Sequence, residues 1–240
     1  MCTFNFIKFN SFNGIIIPFI VYLLLVGCTQ TLEPNTSEFG YEYYPTEIGD
    51  YRIYYTVGIR YNLDGSIDTT KYLVKEVAEE LITYVDGTNR LVLGRYSTDI
   101  GSSEWKKDSL WSVWIDNTKV VVSEANIDFI KLVFPVEESK EWDGNAFNSD
   151  DDEFYKIEDF EKPYSYDTLS YNKTLIVVHE DFIDPAKITK DNYRIEVFAS
   201  GIGLIHKLKI KINYCSKCVE NGKIDDGFIF EQKLIKIGKE

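Results

Sequence analysis

The chain has 240 residues and a formal net charge of −13, with 17 Tyr, 15 Phe and 4 Trp against a single Met. So acidic a chain has no electrostatic attraction for nucleic acid, whose binding depends on Lys and Arg neutralising phosphates, and no nucleic-acid partner is expected. Its length allows one domain with a sizeable core, and its aromatic residues suit the pleated, half-buried surface of a β-protein.

Lys8 is the only charged side chain before Cys28, and an apolar run leads from Ile15-Ile16-Ile17 to Leu23-Leu24-Leu25-Val26. That layout is a secretory signal, whereas a spanning helix needs about 20 apolar residues with charged flanks. Pro18, Gly14 and Gly27 also weaken a long helix. The competing reading is an uncleaved anchor that happens to end in a cysteine. The run closes on Leu25-Val26-Gly27-Cys28, which resembles the lipobox of bacterial lipoproteins. The resemblance implies removal of residues 1–27 and a diacylglycerol on the Cys28 thiol, so that the membrane partner is reached through that lipid. Thr29 stands where enteric inner-membrane lipoproteins carry Asp, and Thr29 to Leu32 hold no acidic residue. By the same resemblance, the expected address is the periplasmic face of the outer membrane.

Residues 28–40 are polar after the cysteine, contain Pro34 and lack periodicity, so they read as a lipidated tether. A single domain is expected over residues 41–240. Its first strand runs from Tyr51 to Val57, with Tyr51, Ile53, Tyr55 and Val57 on one face. Turn chemistry recurs at Asn62-Leu63-Asp64-Gly65, Asp86-Gly87, Asp116-Asn117, Asn221-Gly222 and Asp226-Gly227, since Asn, Asp and Gly tolerate the positive φ of tight hairpins. Between Lys71 and Val85 the apolar residues fall at helical spacing, which allows a minor helix at 71–85. The surrounding turns favour a long strand with a bulge. The acidic stretch from Asp143 to Glu161 does not match a calcium-binding loop and reads as solvated.

Farther on, Tyr193, Ile195, Val197 and Ala199 alternate with Arg194 and Glu196, and Leu208, Ile210 and Ile212 alternate with Lys207, Lys209 and Lys211. The second pattern reads as a half-buried strand with a lysine-rich solvent face. The expected architecture is therefore all-β and mainly antiparallel: a curved sheet, a half-barrel or a sandwich-like domain.

Cys215-Ser216-Lys217-Cys218 can be a redox pair, half of a zinc site or a local disulfide. A redox pair wants a helix N-terminus and a zinc site wants four ligands, so an oxidising envelope favours a disulfide pinning the hairpin tip. His206 lies on the face of Leu208 and His179 follows Ile176-Val177-Val178; both read as ordinary strand histidines. No nucleophile elbow, phosphate loop or zinc-protease motif occurs. No catalytic residue, cofactor or metal is assigned.

Several blocks together resemble lipobox-bearing lipoproteins of Bacteroidota that have no established activity. They are Tyr43-Tyr44-Pro45-Thr46-Glu47-Ile48-Gly49-Asp50-Tyr51, Lys131 to Val136, Trp142 to Asn148, Glu196 to Lys207, and Ile237-Gly238-Lys239-Glu240. The Phe198-Ala199-Ser200-Gly201-Ile202-Gly203-Leu204-Ile205 portion also resembles periplasmic half-barrel proteins, whose curved sheets wrap apolar ligands or partner segments. Gly201 and Gly203 fit a sharp bend between strands. The leading expectation is a non-enzymatic protein that binds an apolar ligand or an envelope protein. The alternatives are an accessory subunit without a ligand and an envelope hydrolase using paired carboxylates.

Cys28→Ala is expected to move the protein from the membrane to the soluble fraction while the domain stays folded. Cell fractionation with circular dichroism checks this, and a variant that stays tightly membrane-bound refutes the lipobox reading.

Overall fold

The computed structural model describes residues 39–85 and 87–240; the signal segment, Cys28 and residues 29–38 of the tether lie outside the described residues. Among the described residues, the strands in chain order are β1 (Asp50–Tyr61), β2 (Ile67–Thr83), β3 (Asn89–Asp99), β4 (Lys106–Ile115), β5 (Lys119–Glu124) and β6 (Ile127–Val133). The second half comprises β7 (Glu141–Asp143), β8 (Phe154–Tyr166), β9 (Leu169–Phe182), β10 (Lys190–Ala199), β11 (Gly203–Tyr214) and β12 (Ile224–Lys239).

All twelve belong to one antiparallel sheet in the order β6-β5-β4-β3-β2-β1-β12-β11-β10-β9-β8-β7. Apart from the β1–β12 junction, every neighbour in the sheet is a neighbour in sequence, so the chain is a meander that returns to its start. The outer strands β6 and β7 would leave raw edges, and unpaired edges invite pairing with other chains. Here they meet at a seam. The Ile130 N–H donates to the Gly144 carbonyl at 2.9 Å, and the Trp142 indole N–H donates to the Ile130 carbonyl at 2.8 Å. The Asn148 amide donates to the Asp128 carbonyl at 2.9 Å. The sheet is thus a nearly closed barrel, the all-β antiparallel class expected.

One end is stoppered by the segment before β1. Phe39 accepts from the Val136 N–H, and Glu42 accepts from the Gly201 N–H at 2.8 Å, so the segment reaches both halves of the meander. Tyr43, in a short 3-10 turn at Tyr41–Tyr43, is fully buried. Gly40 has φ of 83°, and a Cβ there would sit 1.9 Å from Val136 Cγ2. Phe39 and Gly40 are therefore part of the packed body, which starts before the tether boundary expected at residue 40.

The helix expected as an alternative at 71–85 does not form. Lys71 to Thr83 lie in β2, laddered to β1 on one side and β3 on the other, with a bulge between Ala78 and Glu80. Val77 and Ala78 point to opposite faces and are both buried. The bulge then offsets the alternation, and together these produce the helix-like spacing. Two non-local ladders override the local propensity.

Asp226-Gly227 is not a turn but part of β12, where a Cβ on Gly227 would lie 2.2 Å from the Lys211 carbonyl oxygen. Residues 62–65 and 116–117 do form the β1–β2 and β4–β5 turns. The β5–β6 hairpin turns through Ala125 and Asn126 at φ of 52° and 67°, a conformation without the usual glycine signal. The bend expected at Gly201 and Gly203 joins β10 to β11, with φ of 74° and 93°.

β8 bends where Asp159 and Glu161 adopt φ of 52° and 58° and its register with β9 slips. Beyond that bend, the end of the β8–β9 hairpin lies against the outer face of β10 and β11. Tyr166 Oη reaches the carbonyls of Ile205 (3.1 Å) and Leu234 (2.8 Å), beyond the last β11–β12 pair, His206 with Lys233. Ile195, Val197 and Ala199 are buried under this cover, and Glu196 and Phe198 are buried on the opposite, interior face.

Trp142→Phe removes the indole bond of the seam and leaves the Ile130 carbonyl unpaired in a buried setting. Urea denaturation is expected to show a loss of about 1–3 kcal/mol; an unchanged midpoint and slope would mean the bond does not hold the seam.

Candidate functional site

Cys215 and Cys218 are joined by a disulfide with Cα atoms 5.4 Å apart, in the connection between β11 and β12. Cys215 N–H donates to the Lys223 carbonyl at 2.8 Å, so the loop base is held by a backbone bond as well. Among the described residues no helix abuts it, and neither cysteine lines the interior cavity. Among the described residues no group of three or more His, Cys, Asp or Glu side chains is placed to hold a metal.

The site of interest lies inside the barrel. A cavity of about 220 Å³ is lined by β1 to β6 and β10 to β12, with Tyr44, Pro45 and Thr46 of the stopper at its end. Its apolar wall comprises Tyr54, Ala78, Leu91, Leu93, Trp111, Val122, Phe198, Leu204 and Phe230. Set among these are four cations, Arg52, Arg95, Lys131 and Lys207, and three carboxylates, Glu76, Glu124 and Glu196.

Lys131 from β6 lies 2.7 Å from Glu124 of β5 and 3.1 Å from Glu196 of β10. Glu196 is also 2.8 Å from Lys207 of β11. Burial disfavours every charge in this group, and Lys131 and Glu196 are only 7% and 3% exposed. Mutual attraction outweighs that penalty. The two glutamates hold the Lys131 ammonium above its ordinary pKa. Burial opposes ionisation of Glu196, yet Lys131 and Lys207 hold its carboxyl well below the usual range. Glu124 is likewise held low. A retaining or inverting hydrolase needs one carboxyl kept protonated to donate to the leaving group. Glu124 and Glu196 are both held ionised, so neither serves as that donor.

Across the cavity, Arg52 of β1, Glu76 of β2 and Arg95 of β3 stand in one cross-strand row. Arg95 Nε donates to Glu76 at 3.1 Å, and its guanidinium stacks 3.8 Å over the Trp111 ring. Arg52 instead donates to backbone: Nε to the Ile202 carbonyl at 2.6 Å and Nη2 to the Pro45 carbonyl at 3.1 Å.

His179 borders the charged group. Its side chain is 7% exposed, its ring lies 3.8 Å from that of Tyr155, and Nε2 has no hydrogen-bond partner, standing 3.8 Å from Glu196 Oε2. Burial pushes its pKa down to about 3. It is thus a buried neutral imidazole and no ordinary strand-end histidine. His206 matches the satisfied histidine expected: Nδ1 lies 2.6 Å from Tyr164 Oη and Nε2 lies 3.1 Å from Glu231.

The lysine-rich face expected to be solvated on β11 turns Lys207 into the barrel. Glu196 alternates with apolar neighbours as expected; its face is the barrel interior, and solvent lies on neither side of it. On β1 the more apolar residues Tyr51, Ile53, Tyr55 and Val57 are only half-buried, while Tyr54 and Thr56 are buried inside. The missed residues are Lys131, Glu196, Lys207, Arg52 and Glu76. Their signal was polar residues inside strands whose two faces are both needed for burial.

No family model matches the chain, and no curated protein matches it. A crystal structure described as that of "a putative lipoprotein from Parabacteroides distasonis" shares 10% identity with a TM-score of 0.39, covering 82% of this chain and 98% of that one. A likeness of that size fixes neither fold nor role. The fold and the cavity define a nearly closed meander barrel with a mixed apolar and charged interior.

His179 binds its proton less readily folded than unfolded, so its contribution to stability is lost as pH falls below about 6.5 and continues falling towards 3. The carboxylates, held low, lose theirs only below their ordinary value of 4.5. His179→Phe is therefore expected to flatten the decline between pH 6.5 and 4.5 by up to about 1.4 kcal/mol per pH unit. Denaturant unfolding at several pH values checks this; parallel profiles for the two proteins would place the proton elsewhere.

Proposed function

We propose that this chain is an envelope lipoprotein, held on the periplasmic face of the outer membrane by a lipid on Cys28, whose barrel binds a small apolar or amphipathic molecule in its interior cavity. The observation that carries the binding reading is the cavity itself. Barrels fill small interiors with side chains, and this interior is filled in part by buried ion pairs while an apolar, aromatic wall is left facing open space. Ligand sites combine apolar walls with a few polar groups that fix orientation. The anchor reading is supported by the apolar run ending at Cys28 and by its lack of charge beyond Lys8.

Binding here requires no bond-making chemistry from the site. The carboxylates on the cavity wall are engaged by lysine and arginine, so the cavity offers polarity for recognition.

Native mass spectrometry of the full chain, released gently from outer-membrane fractions, is expected to show a retained small molecule that is lost on unfolding. Ala78→Phe, which places a ring in the cavity wall, is expected to abolish retention while leaving the circular dichroism spectrum unchanged. Ligand-free spectra from both membrane-derived protein and protein incubated with a lipid extract would overturn the binding reading; recovery in the inner membrane would overturn the address alone.

A further inference from the structure

We propose that the occupant of the cavity is a small monocarboxylate with an apolar body, and that Arg52 binds its carboxylate; this rests on the cavity reading above. The charges on the cavity wall pair off except for one. Glu124, Lys131, Glu196 and Lys207 form a neutral group, and Glu76 is matched by Arg95. Among the described residues no carboxylate lies within ion-pair distance of Arg52, whose hydrogen bonds go to the Ile202 and Pro45 carbonyls. A half-buried cation left against an apolar wall keeps a desolvation cost that an anionic guest would offset.

The geometry of Arg52 suits a carboxylate. Two backbone carbonyls fix Nε and Nη2, and the guanidinium packs on Gly203, where a Cβ would come within 3.1 Å of Nη2 and 3.3 Å of Cζ. Gly203 is thus the residue that lets the fork lie flat. A guanidinium has five N–H donors; two are used here, which leaves the Nη1 pair and one Nη2 hydrogen. Donors of that type on adjacent nitrogens donate in parallel to the two oxygens of a carboxylate, a charge-assisted arrangement about twice as strong as a neutral one.

Charge and size narrow the guest. The surplus is a single positive charge, which a carboxylate matches, whereas a phosphate monoester brings about −1.5 to −2. The cavity, at about 220 Å³, is smaller than the roughly 300–1,000 Å³ of sites for drug-sized ligands. A short chain or a single ring therefore fits, lying along Leu91, Leu93, Val122, Phe198 and Trp111.

The test is isothermal titration of the purified full chain with hexanoate and 3-phenylpropionate, each against its neutral amide; the two acids separate an aliphatic from an aromatic source. At least one acid is expected to bind about tenfold or more tightly than its amide. Arg52→Gln is expected to remove that preference, so that acid and amide bind alike, and Arg52→Lys to restore part of it. If acid and amide bind equally in the wild type, or the preference survives Arg52→Gln, the anchor is overturned and the cavity reading stands. If no acid or amide binds and native spectra are also ligand-free, both fall. Should Arg52→Gln fail to fold, Arg52→Lys and the wild-type arginine side-chain NMR spectrum carry the test: an Nε resonance that moves with the acid but not with the amide supports the anchor, and one that moves with neither overturns it.

Discussion

Lys131 stands between Glu124 on the neighbouring strand and Glu196 on the far half of the meander, and the interior is organised around that bridge. A charge so deeply buried is tolerable only when it is paired and hydrogen-bonded. Once Lys131 is inside, Glu124 and Glu196 must face it, and Lys207 joins Lys131 on the same oxygen of Glu196, Oε1. That requirement ties β5 and β6 to β10 and β11 across the barrel. It also limits how far apolar side chains can fill the space, which is one physical reason a cavity persists there. Removing one partner would leave the others uncompensated, at a cost of about 3–5 kcal/mol.

The seam and the stopper complete the enclosure. Closing β6 against β7 through Ile130, Gly144 and Trp142 protects the two edges of the sheet, and the Phe39-to-Thr46 segment covers one end. The same segment supplies Tyr44, Pro45 and Thr46 to the cavity wall and the Pro45 carbonyl to Arg52. Enclosure and site are thus built from the same residues. The blocks Tyr43–Tyr51, Lys131–Val136, Trp142–Asn148 and Glu196–Lys207 meet in the stopper, the ion bridge, the seam and the cavity wall. These blocks are distant in sequence and adjacent only in the closed barrel.

The β8–β9 hairpin explains why alternation along β10 does not tell inside from outside. For a strand with one solvated face, alternation tells inside from outside. β10 has none: the hairpin end with Tyr164 and Tyr166, the former bonded to His206 of β11, covers the Ile195 and Val197 side, and the barrel interior receives Glu196 and Phe198. A glutamate between apolar neighbours then looks like a solvent residue, though it is one of the most buried charges described. The helix-like spacing at 71–85 has a related origin, since burial on both faces plus one bulge imitates a period that β2 never adopts.

The sequence by itself determined the β character, the antiparallel order with its Asn- and Gly-bearing turns, the bend at Gly201 and Gly203, and the satisfied role of His206. Those properties are local: they depend on propensity, on positive φ and on alternation along one strand. Tertiary structure alone decided which face is interior, where the ion bridge forms, that His179 is a buried neutral imidazole and that Arg52 has no carboxylate partner among the described residues. Each of those depends on distances between strands far apart in the chain, and no spacing along one segment encodes them.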